Sequence, residues 1–333
     1  MMDKQVSMKE KKISFCSDVR LTGILRYPGS RVGEEENFPA VLLNHGTLEQ
    51  DKDGNTLKHP DGRKVYSKNF FLEISRHLCR AGFATFSWDK RGIGESESGN
   101  SDSLSVVKDS KSALDALCVQ DFINENRIAV FGQSAGVYTS CLLAKDDLRP
   151  KAYILSGGLY RDCSEMIAFN YLRPVEYARK SSEHLKWVEE NDLFGLVLGL
   201  NLSLRKEAMK AGNKEYVVAY RGKKWTIPLD TLFFDPDYAP RKQFRYIEKP
   251  ALVIHGEYDL NVPLEDAYMI ERELRSRSVS VELVIIPGSD HSFQKVPEDE
   301  DERLKERMSL ECFKRPYNEE YFRVIVNFLK RNL

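Results

Sequence analysis

Six short stretches of this chain are apolar almost without interruption: residues 40–43, 83–88, 128–131, 152–155, 251–255 and 281–286. A strand with one wet face alternates apolar and polar side chains, so strands that do not alternate are covered on both faces. Helical spacing fills much of what lies between and after them, at 70–79, 104–117, 135–144, 264–275 and 319–329. Apolar strands separated by helices predict an α/β fold built on a mostly parallel, doubly wound sheet. Two alternating segments ahead of them, around 13–16 and 20–27, predict an antiparallel hairpin at one sheet edge.

The rhythm breaks over residues 159–245. Helical patterns at 175–190 and 193–211 give way there to a mixed segment with Trp225, Pro228, Pro236 and Pro240. This predicts a mainly helical cap inserted into a core made of residues 1–158 and 246–333. The apolar set Leu193, Phe194, Val197, Leu198, Leu200 and Leu202 reads first as packing inside the cap, and second as a lining for an acyl chain. The acidic run 298–302 reads as a solvated loop.

Charge narrows the function classes. With 50 Lys+Arg against 51 Asp+Glu, the net charge of −1 leaves no electrostatic footprint for a nucleic-acid partner. The six cysteines (Cys16, Cys79, Cys118, Cys141, Cys163, Cys312) form no CxxC pair and no metal-ligand spacing, which predicts free thiols in a reducing, cytoplasmic compartment. The polar opening MMDKQVSMKEKK has no apolar signal segment, and the apolar run 193–200 is too short for a membrane span. The expectation is a chain with neither a nucleic-acid nor a membrane partner.

The chemistry concentrates at strand ends. Strand 128–131 runs into Gly132-Gln133-Ser134-Ala135-Gly136 and then a helix. A serine between strand and helix occupies a sharp turn, and glycines two residues to either side remove the Cβ clashes of that turn. The helix that follows aims its first N–H groups at the reacting centre. A serine hydroxyl needs a neighbouring base, and the base needs an acid to set its tautomer.

Of the six histidines, His45 and His255 lie at strand ends, His59 precedes a proline, and His77 and His184 fall in helical patterns. Only His291 comes late and in a loop just past a strand, which makes it the candidate base. Asp259, in the loop after strand 251–255, is the candidate orienting acid; Glu257 and Asp290 are neighbouring alternatives and Asp162 a remoter one. For the oxyanion, one donor is the N–H of Ala135, and the other is expected after strand 40–43, at Thr47 or, failing that, Leu48. Asp51-Lys52-Asp53-Gly54-Asn55 opens like a calcium loop, but the sixth and twelfth positions hold Thr56 and Gly62 instead of Gly and Glu. A surface turn beside the pocket is expected there, with no metal and no organic cofactor.

Taken together, Asn44-His45-Gly46-Thr47, Asp89-Lys90-Arg91-Gly92-Ile93-Gly94-Glu95-Ser96, Gly132-Gln133-Ser134-Ala135-Gly136, Gly256-Glu257-Tyr258-Asp259 and Asp290-His291 resemble the α/β-hydrolase superfamily. Within it the chain is similar to bacterial esterases and to dienelactone-hydrolase-like or acyl-peptidase-like enzymes. Dienelactone hydrolases proper use a cysteine nucleophile, where this chain has Ser134. The resemblance implies structural roles for Asp89 and Arg91. The expected reaction is hydrolysis of a small carboxylic ester or thioester through a Ser134–His291–Asp259 relay. A thioesterase or acyltransferase, a peptidase and a non-catalytic ligand-binding protein stand as alternatives.

Overall fold

Eight strands lie side by side in one sheet in the order β1-β2-β4-β3-β5-β6-β9-β10. They are β1 (Met8–Cys16), β2 (Arg20–Pro28), β3 (Phe38–Asn44), β4 (Ala84–Trp88), β5 (Ile123–Gln133), β6 (Ala152–Ser156), β9 (Ala251–Gly256) and β10 (Val281–Ile286). The computed structural model describes residues 7–29, 37–57, 65–229 and 236–333; His59 lies outside them. β1 and β2 form the antiparallel edge, and the strands from β4 to β10 run parallel to one another.

The missing alternation has the expected cause. Ala40 and Leu42 face one side of the sheet, packed with Leu114 and Leu117 of α2 (Ser103–Cys118), Val137 and Cys141 of α3 (Ala135–Asp146), and Ile270 and Leu274 of α9 (Leu264–Ser276). Val41 and Leu43 face the other side, under Phe70, Phe71 and Leu78 of α1 (Phe70–Arg80) and Tyr321, Phe322 and Phe328 of α11 (Glu319–Asn332). Successive side chains point to opposite faces, so two helical layers demand an apolar residue at every position.

The order of strands also fixes where a ligand can sit. β3 pairs with β4 on one side and with β5 on the other. The connections leaving β3 and leaving β5 carry the chain to opposite faces of the sheet, to α1 and to α3, and that divergence opens a crevice at the carboxyl ends of the strands. The loop after β3 and the turn after β5 form its two banks.

Arg91, in the turn after β4, ties that edge together. Its guanidinium is 1% exposed and donates to both carboxylate oxygens of Asp109 on α2, at 2.7 and 2.6 Å. Removing one member of a buried ion pair strands the other charge. Arg91→Met is therefore expected to destabilise the fold by about 3–5 kcal/mol, read as a lowered midpoint in urea unfolding.

Between β6 and β9 the chain forms α4 (Cys163–Ala178), α5 (Ser182–Asn191), α6 (Leu193–Leu200), α7 (Leu202–Lys210) and a hairpin of β7 (Glu215–Tyr220) and β8 (Lys223–Pro228). It then returns to the core through the short α8 (Pro240–Gln243) and Phe244, which packs into the cluster beneath α3. Several local expectations change here. The pattern at 175–190 resolves into two helices, because Ser181 caps a new start by accepting the His184 N–H. The pattern at 193–211 divides at Asn201.

The mixed segment holds a true hairpin. Arg221 (φ 44°) and Gly222 (φ 81°) make its two-residue turn, and Tyr216 and Val218 face inward. Phe194, Val197 and Leu198 bury against those two residues, whereas Leu200 is left on the surface. Nor is the acidic run 298–302 a loop: Asp299 caps α10 (Glu300–Ser309), and Glu300, Asp301 and Glu302 form its first turn. Negative charge is favoured at a helix N-terminus, where unpaired N–H groups carry partial positive charge.

Candidate active site

Ser134 sits in a turn that its neighbours force. Its backbone has φ 54° and ψ −118°, outside the regions that residues with a Cβ ordinarily occupy. The turn closes only because nothing projects from its two glycines. A Cβ on Gly132 would lie 2.4 Å from the Gly136 oxygen, and one on Gly136 would lie 2.4 Å from the Asn44 oxygen. The Ser134 N–H donates to Ser156 O at 2.8 Å, which pins the turn to the end of β6. Ser134 and Ala135 remain partly exposed at the crevice.

The next residue on β6's side, Gly157, lies against the imidazole of His291. A Cβ built on Gly157 would sit 3.1 Å from Cε1 and 3.3 Å from Nδ1 of that ring. The same Nδ1 is 2.6 Å from Oδ2 of Asp259. Asp259 is 6% exposed, and its second oxygen accepts the N–H groups of Asn261 (2.7 Å) and Val262 (2.9 Å). Gly157, one residue past the partner of the Ser134 N–H, thus borders both His291 and Asp259. Among the described residues no hydrogen bond joins Ser134 to His291; catalytic hydrogen bonds of free enzymes commonly tighten only once substrate is bound.

Two carboxylates near His291, the buried Asp259 and the half-buried Asp290, are held differently. Burial pushes Asp259 up, but His291, His255 and the Val262 N–H outweigh it and leave the carboxyl below its usual value. Asp290 is raised to about 6 by burial, with the N–H groups of Gln294 and Ser292 offsetting only part of the effect. Asp290 spends its Oδ1 on those same two N–H groups, at 2.9 and 2.8 Å. Glu257 is exposed and accepts the Gly288 N–H, and Asp162 is an exposed residue at the start of α4. Of the four carboxylates considered from sequence, Asp259 is the one that hydrogen-bonds the ring.

Across the crevice, the loop after β3 reaches the serine. A Cβ on Gly46 would lie 3.5 Å from Cβ of Ser134, so the peptide that carries the Thr47 N–H begins beside the nucleophile candidate. Neither Thr47 N–H nor Ala135 N–H has an acceptor among the described residues. Burial and the neighbouring Lys90 push His45 down to about 3, and its ring packs between Phe71 and Trp88. The Asp51 loop is a turn closed on itself, with Oδ1 accepting the N–H groups of Asp53 and Asn55 at 2.9 and 2.8 Å.

The fold recurs in solved structures. A hypothetical protein of Pseudomonas aeruginosa superposes with a TM-score of 0.56 at 17% identity, covering 100% of this chain and 96% of that one. The esterase Pf2001 of Pyrococcus furiosus gives 0.55 at 14%, covering 99% and 96%. The acylaminoacyl peptidase of Pyrococcus horikoshii gives 0.56 at 15% over 98% of this chain but only 42% of the longer peptidase. Two family models match parts of the sequence: serine aminopeptidase S33 over residues 62–197 and the prolyl oligopeptidase family over 213–310.

The chain has the α/β-hydrolase fold.

The first of those matches contains Ser134, and the second contains Asp259 and His291. A search of curated proteins by sequence returns no match. Two features of this α/β-hydrolase site were not legible beforehand. His255, set aside as a strand end, is fully buried with Nε2 3.3 Å from Asp259 Oδ2, so two imidazoles share one carboxylate oxygen. Asn261, beside Asp259, accepts from Arg307 Nε at 2.7 Å, and Arg307 also bonds Asn170 on α4, which ties the insertion to the acid's loop. Neither contact leaves a sequence signal.

Gly157 did leave one, in the Ser156-Gly157-Gly158 end of its strand. It has φ 60°, where a Cβ is strained, and that Cβ would press on the His291 ring. Gly157→Ala is expected to lower kcat on the order of a hundredfold, the usual scale for a reacting group displaced by about 1 Å. A thermal melt run beside the kinetics should show a much smaller effect on folding.

Proposed function

We propose that this protein hydrolyses carboxylic esters of small molecules through an acyl-enzyme intermediate. Ser134 Oγ attacks the carbonyl carbon while His291 takes its proton. The carbonyl C=O opens to a tetrahedral oxyanion held by the N–H groups of Ala135 and Thr47. The ester C–O bond then breaks, His291 returns the proton to the leaving alkoxide, and water repeats the sequence to release the acid. Asp259 keeps the ring in the tautomer whose Nε2 is free to accept.

The observation that carries this reading is the 2.6 Å contact between His291 and a buried, ionised Asp259. The ring so fixed lies against Gly157, one residue from the backbone partner of a strained Ser134. Balanced charge supports a small-molecule substrate over a nucleic acid. Among the described residues no helix is long and apolar enough to cross a membrane. Six free thiols fit a reducing cytoplasm.

Peptide hydrolysis is the second reading, favoured by the peptidase descriptions of both matched families. A panel of p-nitrophenyl esters, acyl-CoA thioesters and aminoacyl p-nitroanilides separates them. Esters are expected to give the highest kcat/KM, and faster cleavage of the anilides would make the protein a peptidase.

A further inference from the structure

We infer that Lys90 is a positioning residue for the oxyanion site: its ammonium clamps the two carbonyls that bracket Thr47, and so aims the Thr47 N–H and strengthens it as a donor. The inference rests on the reading of Ser134 and Thr47 given above. The Nζ of Lys90 donates to the carbonyl oxygen of Gly46 at 3.1 Å and to that of Leu48 at 2.8 Å. The Gly46 C=O and the Thr47 N–H belong to one planar trans peptide and point in opposite directions. Drawing the oxygen toward Lys90 therefore turns the hydrogen away from it. A charged donor on the oxygen also polarises the peptide, which makes the N–H at the other end a better donor.

The loop needs such a hold. Leu48 has φ 73°, a backbone state unfavourable for a residue with a Cβ, and its side chain is 42% exposed, so its own burial does little to enforce that state. The Lys90 bond to its carbonyl stands in for the missing packing. Lys90 is itself anchored to the sheet edge. Its N–H donates to Gln50 O at 3.1 Å, and the preceding Asp89 N–H donates to Thr22 O on β2 at 2.9 Å. The exposed Thr47–Leu48 segment is thereby tied, through Lys90, to the end of β4.

Burial pushes the Lys90 amine down to about 8, while Asp109 on α2 and Glu49 in the same loop pull it back up. His45, at the end of β3, faces it as a neutral ring. Lys90 is a cation below about pH 8 and a weaker, neutral donor above it.

The test compares wild type with Lys90→Met and Lys90→Arg on a p-nitrophenyl ester, together with inhibition by phenylboronic acid, whose serine adduct is tetrahedral. Lys90→Met is expected to lower kcat about tenfold to a hundredfold with KM little changed, somewhat less than losing an oxyanion donor outright. Boronate affinity should fall by a similar factor, and Lys90→Arg should restore most of both. Wild-type kcat should also decline part-way as pH rises through about 8, a limb absent from Lys90→Arg. That limb needs no methionine variant, so it decides the matter if Lys90→Met does not fold.

Unchanged kcat and boronate affinity in a folded Lys90→Met, or no difference in alkaline limb between wild type and Lys90→Arg, overturns the inference while leaving the ester-hydrolase reading intact. A wild-type protein that neither reacts with a fluorophosphonate nor turns over any ester overturns both.

Discussion

Ser134→Ala is expected to reduce ester turnover by a factor on the order of 10⁴–10⁶, leaving only what binding and the oxyanion donors contribute. The attack depends on the turn that holds Ser134, with φ 54° and ψ −118° at the mouth of the crevice and Gly132 and Gly136 allowing close approach on both sides. Alanine in the same turn carries the same backbone strain, so the substitution should leave the melting temperature nearly where it was. The covalent readout is independent of substrate choice. A fluorophosphonate should label wild type at Ser134 and leave Ser134→Ala unlabelled, as followed by intact-protein mass. Tight ligand binding that survives Ser134→Ala, with no labelling of the wild type, would instead identify a binding protein on this fold.

Asp259→Asn comes second, with an expected loss in kcat of about 10⁴ and little change in KM. The size follows from tautomer control. The carboxylate is acceptor-only, and its Oδ2 lies 2.6 Å from His291 Nδ1, which forces the proton onto Nδ1 and frees Nε2 to accept from Ser134. An asparagine amide can turn its NH₂ toward Nδ1 and favour the opposite tautomer, whose Nε2 already carries a proton. The other oxygen sharpens the contrast: Oδ1 already accepts two backbone N–H groups, so the amide nitrogen goes to the histidine side. Glu257→Gln serves as the control, since that side chain is exposed and braces only the Gly288 turn. A pre-steady-state burst that stays intact in Asp259→Asn would refute the orienting role.

His255 adds a complication particular to this chain. Its ring shares Oδ2 of Asp259 with His291, and its Nε2 also faces Val262 O at 3.1 Å. In the sequence His255 stands at a strand end, with nothing to give it a part beside the carboxylate. The two rings differ in depth: His255 is sealed inside β9, whereas His291 keeps its ring partly open beside Gly157.

The layered core was readable because burial between two helical sheets of side chains is a local demand on each strand. β3, β4, β6 and β9 each carry their apolar run whichever partner they pair with, and the strand-to-helix turn at Ser134 advertises itself through two glycines. The helices α1, α2, α3, α9 and α11 likewise wrote their buried stripes into residues three and four apart. Errors gathered where local pattern serves two outcomes. A helical stripe does not say that Ser181 will start a new turn, and an acidic run suits both a solvated loop and the first turn of α10. The β7–β8 hairpin did show alternation, at Tyr216 and Val218, but prolines further on drew the segment toward irregular structure.

By itself the sequence determined the class of sheet, the edge at which chemistry gathers and, by elimination among six histidines, a single candidate base. Those follow from periodicity and from residue type at strand ends, both of which are properties of short segments. Only the tertiary structure decided which carboxylate meets that base, because Asp259 and His291 are 32 residues apart and their contact depends on how two loops turn after parallel strands. It alone, too, set Lys90 against the carbonyls of Gly46 and Leu48, since a hydrogen bond between a side chain and a distant backbone leaves no trace in either segment's pattern.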